Sequence, residues 1–367
     1  MTDPRVAKLA LVLVHYSLNL KPGERFVMRT SPLAEELNLA VYEEALKAGA
    51  FVAIMQSIPG ARQIFYKNAS PDQLEHINDF EKLTTETYDA YLAIDAATNT
   101  RELSGVDPKL FAQVSKANAP LEKTFMERAA NGKLRWSLTV YPTYAFAQEA
   151  ELSLPDYQDF VYSAGMLNET DPVIYWKKVS AKQKKIVDWL AGHDKIVLKG
   201  SSVDLKMSMK GRKFISADGK YNFPDGEIFT GPVEDSAEGW IRFSYPAIEY
   251  GQEVADIELK FAKGKAIKEK ASKNQELLTG QLNSDTGARY LGELGIGTNY
   301  GIQKFTKHML FDEKMGGTIH LALGASYPET GGKNESGIHW DMLCDMKDAE
   351  ITIDSELFYK NGKIMIS

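Results

Sequence analysis

The sequence is poor in the residues that mark several common protein classes. It has one cysteine, Cys344, in 367 residues, so no intramolecular disulfide can staple the fold. That scarcity suits a reducing compartment, and a cytoplasmic location is expected. Only six histidines are present, so any imidazole-containing site draws on few candidates. No apolar run approaches the roughly 18 residues that a membrane helix needs. The early run from Leu9 to Val14 is too short for a secretory signal. No strand-like segment is followed by Gly-x-Gly-x-x-Gly or a Walker-type loop, and Gly331-Gly332-Lys333 lacks the glycine spacing of a phosphate loop. Lys and Arg number 43 against 50 Asp and Glu, a net charge of −7. That balance gives no basic footprint for nucleic acid or an anionic membrane, and neither is expected as a partner.

What is present is 44% hydrophobic residues in a chain long enough for more than one core. The first third alternates helix-like and strand-like patterns. Val6, Leu9, Val12, Leu13 and Tyr16 recur at helical spacing, and Phe26 to Met28 reads as a strand. Ser31-Pro32 supplies a cap and a first-turn proline for a helix carrying Leu33, Leu37, Ala40, Val41 and Ala45 on one face and ending near Gly49. Phe51 to Met55 and Tyr88 to Ile94 read as further strands, so a partly parallel α/β sheet is expected. A helix is predicted from Asp171 to Leu190. Beyond it strands dominate: Lys195 to Leu198, Asp204 to Met209, Trp240 to Ser244, Asp256 to Phe261 with Ala266 to Glu269 across Lys263-Gly264, His320 to Leu323, His339 to Leu343 and Glu350 to Ile353. A helical stretch is expected from Asp285 to Leu294. The expected organisation is an α/β layered N-terminal domain over 1–169 and an α+β, strand-rich C-terminal catalytic domain over 170–367.

His339-Trp340-Asp341-Met342-Leu343 is the first pattern that carries chemistry. Residues i and i+2 of a strand share a face, so imidazole and carboxylate project side by side as two ligands of one divalent ion require. Trp340 and Met342 then point into packing. His320 lies in a similar apolar run between Gly317 and Gly324. Cys344 falls on the face opposite His339 and Asp341, which favours a small buried thiol over a nucleophile.

Longer motifs extend this pattern. Thr318-Ile319-His320-Leu321-Ala322-Leu323-Gly324, Ser326-Tyr327-Pro328-Glu329 and Ile338-His339-Trp340-Asp341 closely resemble the metalloaminopeptidase family of the aminopeptidase T and aminopeptidase S group. Asn222 to Thr230, Tyr290-Leu291-Gly292-Glu293-Leu294, Leu20-Lys21-Pro22-Gly23-Glu24 and Glu44 to Ala50 resemble it as well, in the same order along most of the chain. The resemblance implies a dinuclear site whose ligands fall on Glu227, Glu293, His320, His339 and Asp341. The family's active-site tyrosine falls on Tyr327, and Glu293 is counted with it as catalytic. Two departures stand out: Gly226 occupies a position where the family often has a second acid, and the interval from His320 to His339 is shorter than in some members.

The implied activity is removal of N-terminal residues from peptides by water activated between two divalent metal ions. Zinc, cobalt, manganese and magnesium all suit ligands without thiolate. Glu227 is the expected bridging carboxylate, Tyr327 the expected donor to the developing oxyanion. The resemblance also implies a homodimer acting on peptide substrates. The alternatives left open are another dinuclear metal hydrolase, such as an amidase or phosphoesterase, and a non-catalytic metal-binding protein of the same fold.

Overall fold

The structure is a computed structural model that describes residues 3–249 and 251–366. The chain divides into two compact units. The first runs to Tyr175 and takes back Gly219–Pro224, and the second comprises Trp176–Asp218 and the residues from Asp225 onward.

Among the described residues, the first unit holds a five-stranded parallel sheet. Its strand order is Phe51–Gln56, Arg25–Thr30, Ala90–Asp95, Arg135–Val140, Asn222–Phe223. Parallel neighbours need crossover connections, which the helices supply. Ser31 accepts from Leu33 N and caps a short 3-10 turn, Pro32–Ala34; the helix Glu35–Lys47 continues from it and buries Leu37, Val41 and Ala45 at i, i+4, i+8, with Leu33 and Ala40 only partly buried. The helix Pro108–Ala130 goes unread in the sequence because Pro120 interrupts its pattern. The last strand, Asn222–Phe223, returns from far along the chain, a pairing that local periodicity cannot announce.

The second unit is strand-rich and antiparallel. One sheet of eight strands runs in the order Lys265–Lys270, Glu258–Ala262, Glu238–Arg242, Val203–Ser208, Lys195–Gly200, Glu350–Ile353, Glu356–Lys360, Lys363–Ile364. A second, of five, runs His339–Asp345, Thr318–Gly324, Leu291–Gly297, Glu227–Thr230, Ile215–Ala217. Leu198, Leu205, Ile241 and Leu259 of the first sheet and Leu294, Ile296, Ile319, Leu321 and Met342 of the second belong to one hydrophobic core. Each such side chain, fully buried, stabilises the fold by about 1.5–3 kcal/mol. The α/β plus strand-rich α+β class expected from the sequence is the one observed.

One expectation fails. Residues 285–294 are not helical: the helix in this region is Gln275–Leu282, and Leu291–Gly297 is a strand. Asp285 accepts from Gly287 N and Ala288 N, which forms a turn where a helix was expected. Every residue of the strand is buried, so it lacks the alternation that marks a half-exposed strand.

Candidate metal centre

The five-stranded sheet of the second unit has one apolar face and one face lined with small residues and charges. Its register explains the second face. Glu293 lies opposite Ala322, and Ala322 lies opposite Asp341, so only a methyl group separates two carboxylates across three strands. His320 is opposite Gly295, and His339 is opposite Gly324. Directly opposed residues share a face, so Glu293, His320, His339 and Asp341 project together.

Two glycines make this possible. A register shift between Leu291 and Glu293 leaves Gly292 as a bulge, which turns Glu293 away from the core face on which Leu291 lies. A Cβ at Gly292 would stand 2.1 Å from the Ala325 carbonyl oxygen. A Cβ at Gly295 would stand 2.0 Å from Cε1 of His320, so the imidazole occupies the space that a side chain there would fill.

Glu227 begins its strand opposite Gly297 and enters the same space. Gln183, buried on the long helix Pro172–Leu190, donates to the Glu227 carbonyl at 3.3 Å and to Thr298 Oγ1 at 3.0 Å, bracing that strand. The distances are those of one cluster. His320 Nε2 is 3.2 Å from Glu293 Oε1, 3.4 Å from Glu227 Oε2 and 4.0 Å from Asp341 Oδ1. His339 Nε2 is 3.3 Å from Glu293 Oε2 and 3.8 Å from Asp341 Oδ2. His339 Nδ1 lies 2.8 Å from the Ala325 carbonyl. A proton donated there turns Nε2 toward the carboxylates.

All five sequence-predicted ligand positions therefore come together. Tyr327 stands at the rim, 39% exposed, its ring 4.8 Å from that of His339 and edge-on to Phe229. Glu293 reaches the cluster from a strand rather than from the helix expected over Asp285 to Leu294, and Glu227 from the first residue of its strand. Cys344 is buried on the apolar face, and burial pushes its thiol up to about 11, out of nucleophilic range.

Three residues escaped the sequence reading. Lys314 is fully buried, with Nζ 2.5 Å from Glu227 Oε1, 2.6 Å from Glu313 Oε1 and 3.6 Å from Asp225 Oδ1. Nothing in Phe311-Asp312-Glu313-Lys314 marks the lysine for burial. The Met315-Gly316-Gly317 segment beside it brings the chain straight into the His320 strand, but says nothing about the burial of the lysine.

The electrostatics of the cluster follow from its crowding. Burial alone would lower His320, but the hydrogen bond to Glu293 and the Glu227 charge push it up to about 10. Burial also opposes protonation of His339, and Glu293 and Asp341 still carry it to about 9. Glu293, which burial would raise, is held at about 2 by the two imidazoles. Burial raises Glu227 against the pull of Lys314. Positive charge is thus favoured where carboxylates converge. Glu227 Oε2, Asp341 Oδ1 and His320 Nδ1 are buried without a hydrogen-bond partner. Each such atom costs about 1–3 kcal/mol when left unsatisfied. Among the described residues, three sets of donors lie close enough to hold an ion: Glu227, Glu293 and His320; Glu293, His339 and Asp341; Glu313, His320 and Asp341. Oxygen and imidazole donors without thiolate suit a divalent metal.

Fold and site together define a metal-binding protein. The family model described as thermophilic metalloprotease (M29) matches residues 2–364, and the chain belongs to that family of metal-dependent hydrolases. Among curated relatives, aminopeptidase T of Thermus thermophilus is 24% identical, covering 94% of this chain and 93% of its own. Aminopeptidase 2 of Geobacillus stearothermophilus is also 24% identical, over 95% and 94% of the two chains. AmpT from Thermus thermophilus superposes with a TM-score of 0.84 at 22% identity, covering 99% of each chain. A 2,5-dihydroxypyridine dioxygenase from Pseudomonas putida KT2440 shares the fold at a TM-score of 0.59 and 14% identity, over 100% and 99% of the chains. The fold alone therefore does not fix the chemistry. No helix among the described residues is long and apolar enough to cross a membrane.

Proposed function

We propose that this chain is a metal-dependent aminopeptidase that removes N-terminal residues from peptides, with two divalent ions held by Glu227, Glu293, His320, His339 and Asp341. The observation that carries this reading is the pair of three-donor sets meeting at Glu293. Oε1 of Glu293 faces His320 and Oε2 faces His339, so one carboxylate spans both positions. Glu227 has one oxygen engaged by Lys314, which favours Glu293 over Glu227 as the shared ligand. Glu313 stands close enough to His320 and Asp341 to add an oxygen. Ions bound there supply Lewis acidity toward a water molecule and toward the scissile carbonyl.

The chain's own groups orient the reaction. His339 is fixed through Ala325, and burial together with the charges of Glu293 and Asp341 raises the Tyr327 phenol well above its ordinary range. Tyr327 thus keeps its proton and can donate it in a hydrogen bond to the developing oxyanion at the rim. A homodimer is supported by the edge strand Phe51–Gln56, which exposes Phe51 and Ile54, and by Leu39 and Leu46 on the neighbouring helix. The lone buried cysteine agrees with a cytoplasmic location.

The test uses the purified chain with chromogenic aminoacyl amides, N-acetylated counterparts and a phosphoester. Hydrolysis confined to substrates with a free α-amino group, abolished by a chelator and restored by divalent metal, is the expected result. Equal turnover of blocked substrates or of the phosphoester would assign another dinuclear hydrolase. Ion binding with no turnover of any substrate would assign a non-catalytic protein.

A further inference from the structure

Lys314 is the charged group that this mechanism leaves unused. It follows Glu313 just after the short helix Met309–Asp312, and its backbone is fixed: its N–H donates to the Phe311 carbonyl at 3.1 Å, and its carbonyl accepts from Asn299 N at 3.0 Å. Its side chain is 1% exposed and lies among Asp225, Glu227 and Glu313. Burying an ammonium is costly unless opposite charges surround it, and one carboxylate would suffice for a structural ion pair. The two halves of the centre differ in this respect. Lys314 holds Oε1 of Glu227 and Oε1 of Glu313, leaving Oε2 of Glu227 toward His320. Among the described residues, Glu293, His339 and Asp341 form ion pairs only with one another and with His320.

We propose, on the two-ion reading above, that Lys314 is a built-in cation that makes the metal positions unequal. The position formed by Glu293, His339 and Asp341 takes the first ion tightly. The position formed by Glu227, Glu293 and His320 takes the second ion weakly. A divalent ion on Glu227 Oε2 sits one carboxylate away from a fixed positive charge, in an interior where water screens little. The same ammonium withdraws negative charge from Glu227 and Glu313 that would otherwise attract that ion. Lys314 thereby sets the metal concentration at which the centre becomes dinuclear.

The experiment titrates the metal-free full-length chain with Zn²⁺ alone by calorimetry, with bound metal counted by elemental analysis after dialysis. The wild type is expected to bind in two steps, the second at least tenfold weaker, a gap of about 1.4 kcal/mol or more. Lys314→Met keeps an unbranched side chain without the charge, and should tighten the second step at least tenfold while moving the first less than threefold. His339→Ala should remove the tight step and His320→Ala the weak one, an assignment that stands even if Lys314→Met does not fold. Two equal steps in the wild type, a second step unchanged or weakened in Lys314→Met, or the reverse assignment of the histidines would overturn the role of Lys314. A wild type that binds no Zn²⁺ would remove the metal-centre reading itself, an outcome distinct from two ions bound equally.

Discussion

The strands Leu291–Gly297, Thr318–Gly324 and His339–Asp345 present two faces that could hardly differ more. On one, Leu294, Ile296, Ile319, Leu321, Trp340 and Met342 pack into the core. On the other, Gly295, Ala322 and Gly324 leave room for Glu293, His320, His339 and Asp341. All these residues are buried or nearly so, but burial means opposite things on the two sides. Apolar burial stabilises the fold directly, whereas the converging charges carry a desolvation cost that their pairing, two imidazoles against Glu293, has to offset. The difference teaches that the sheet is a rigid support, held from behind, for a polar arrangement that could not hold itself.

The largest effect should come from the charged face. Glu293→Gln keeps the shape and removes the charge shared by both donor sets. Loss of bound metal and a fall in kcat/KM of at least about a thousandfold, about 4 kcal/mol, are expected. The variant should still unfold cooperatively, close to the melting temperature of the metal-free wild type. Elemental analysis and a melting curve check both, and retained metal with retained turnover would remove Glu293 from its central place.

Next in size is the apolar face. Leu321→Ala should destabilise the chain by about 3 kcal/mol, the range of a truncated core leucine. Its metal stoichiometry below the melting transition should match the wild type. Denaturant unfolding and metal analysis on the same sample give the answer. A folded variant that has lost its metal would show that the faces are not independent.

That division also explains what the sequence could and could not disclose. His339 and Asp341 were legible because two residues two apart on a strand share a face, whatever pairs beside them. Leu37, Val41 and Ala45, or the hairpin across Lys263-Gly264, were legible for the same local reason. The sequence around Glu293 reads as helical because its strand is buried on both faces, and only the family resemblance singles the residue out. The path Glu293–Ala322–Asp341 depends on register across three strands, information that no short window contains. Lys314 is illegible for a plainer reason: among 43 Lys and Arg, nothing local marks it for burial.

Gly295 tests whether the small residues of the charged face are needed. Gly-to-Ala in a strand ordinarily gains about 0.4–1 kcal/mol by restricting the unfolded chain. Here the added Cβ would stand 2.0 Å from Cε1 and 2.1 Å from Nε2 of His320. Gly295→Ala should therefore displace that ring and weaken metal binding by about a hundredfold, about 2.7 kcal/mol. Calorimetric titration against the wild type measures it, and unchanged affinity would mean that the ring has another place to go.

The smallest effect comes from a carboxylate outside the centre, where charge is paired at the surface rather than gathered in the interior. Glu253 lies 2.8 Å from Lys273 Nζ and 2.8 Å from Lys307 Nζ, and the side chain is 21% exposed. Hydrogen bonds from Lys273 and then Lys307 hold its carboxyl at about 2, below the ordinary 4.5. A carboxyl whose folded pKa is depressed binds fewer protons folded than unfolded, so its contribution is fully present above 4.5 and is lost as the pH falls toward 2. Solvent screening limits that contribution to about 1 kcal/mol. Glu253→Gln should therefore lower stability by about 1 kcal/mol at neutral pH, and the gap from wild type should narrow as the pH falls from 5 to 3. Urea unfolding of both proteins across that interval measures the gap. A gap that stays constant would mean that Glu253 acts through packing rather than charge.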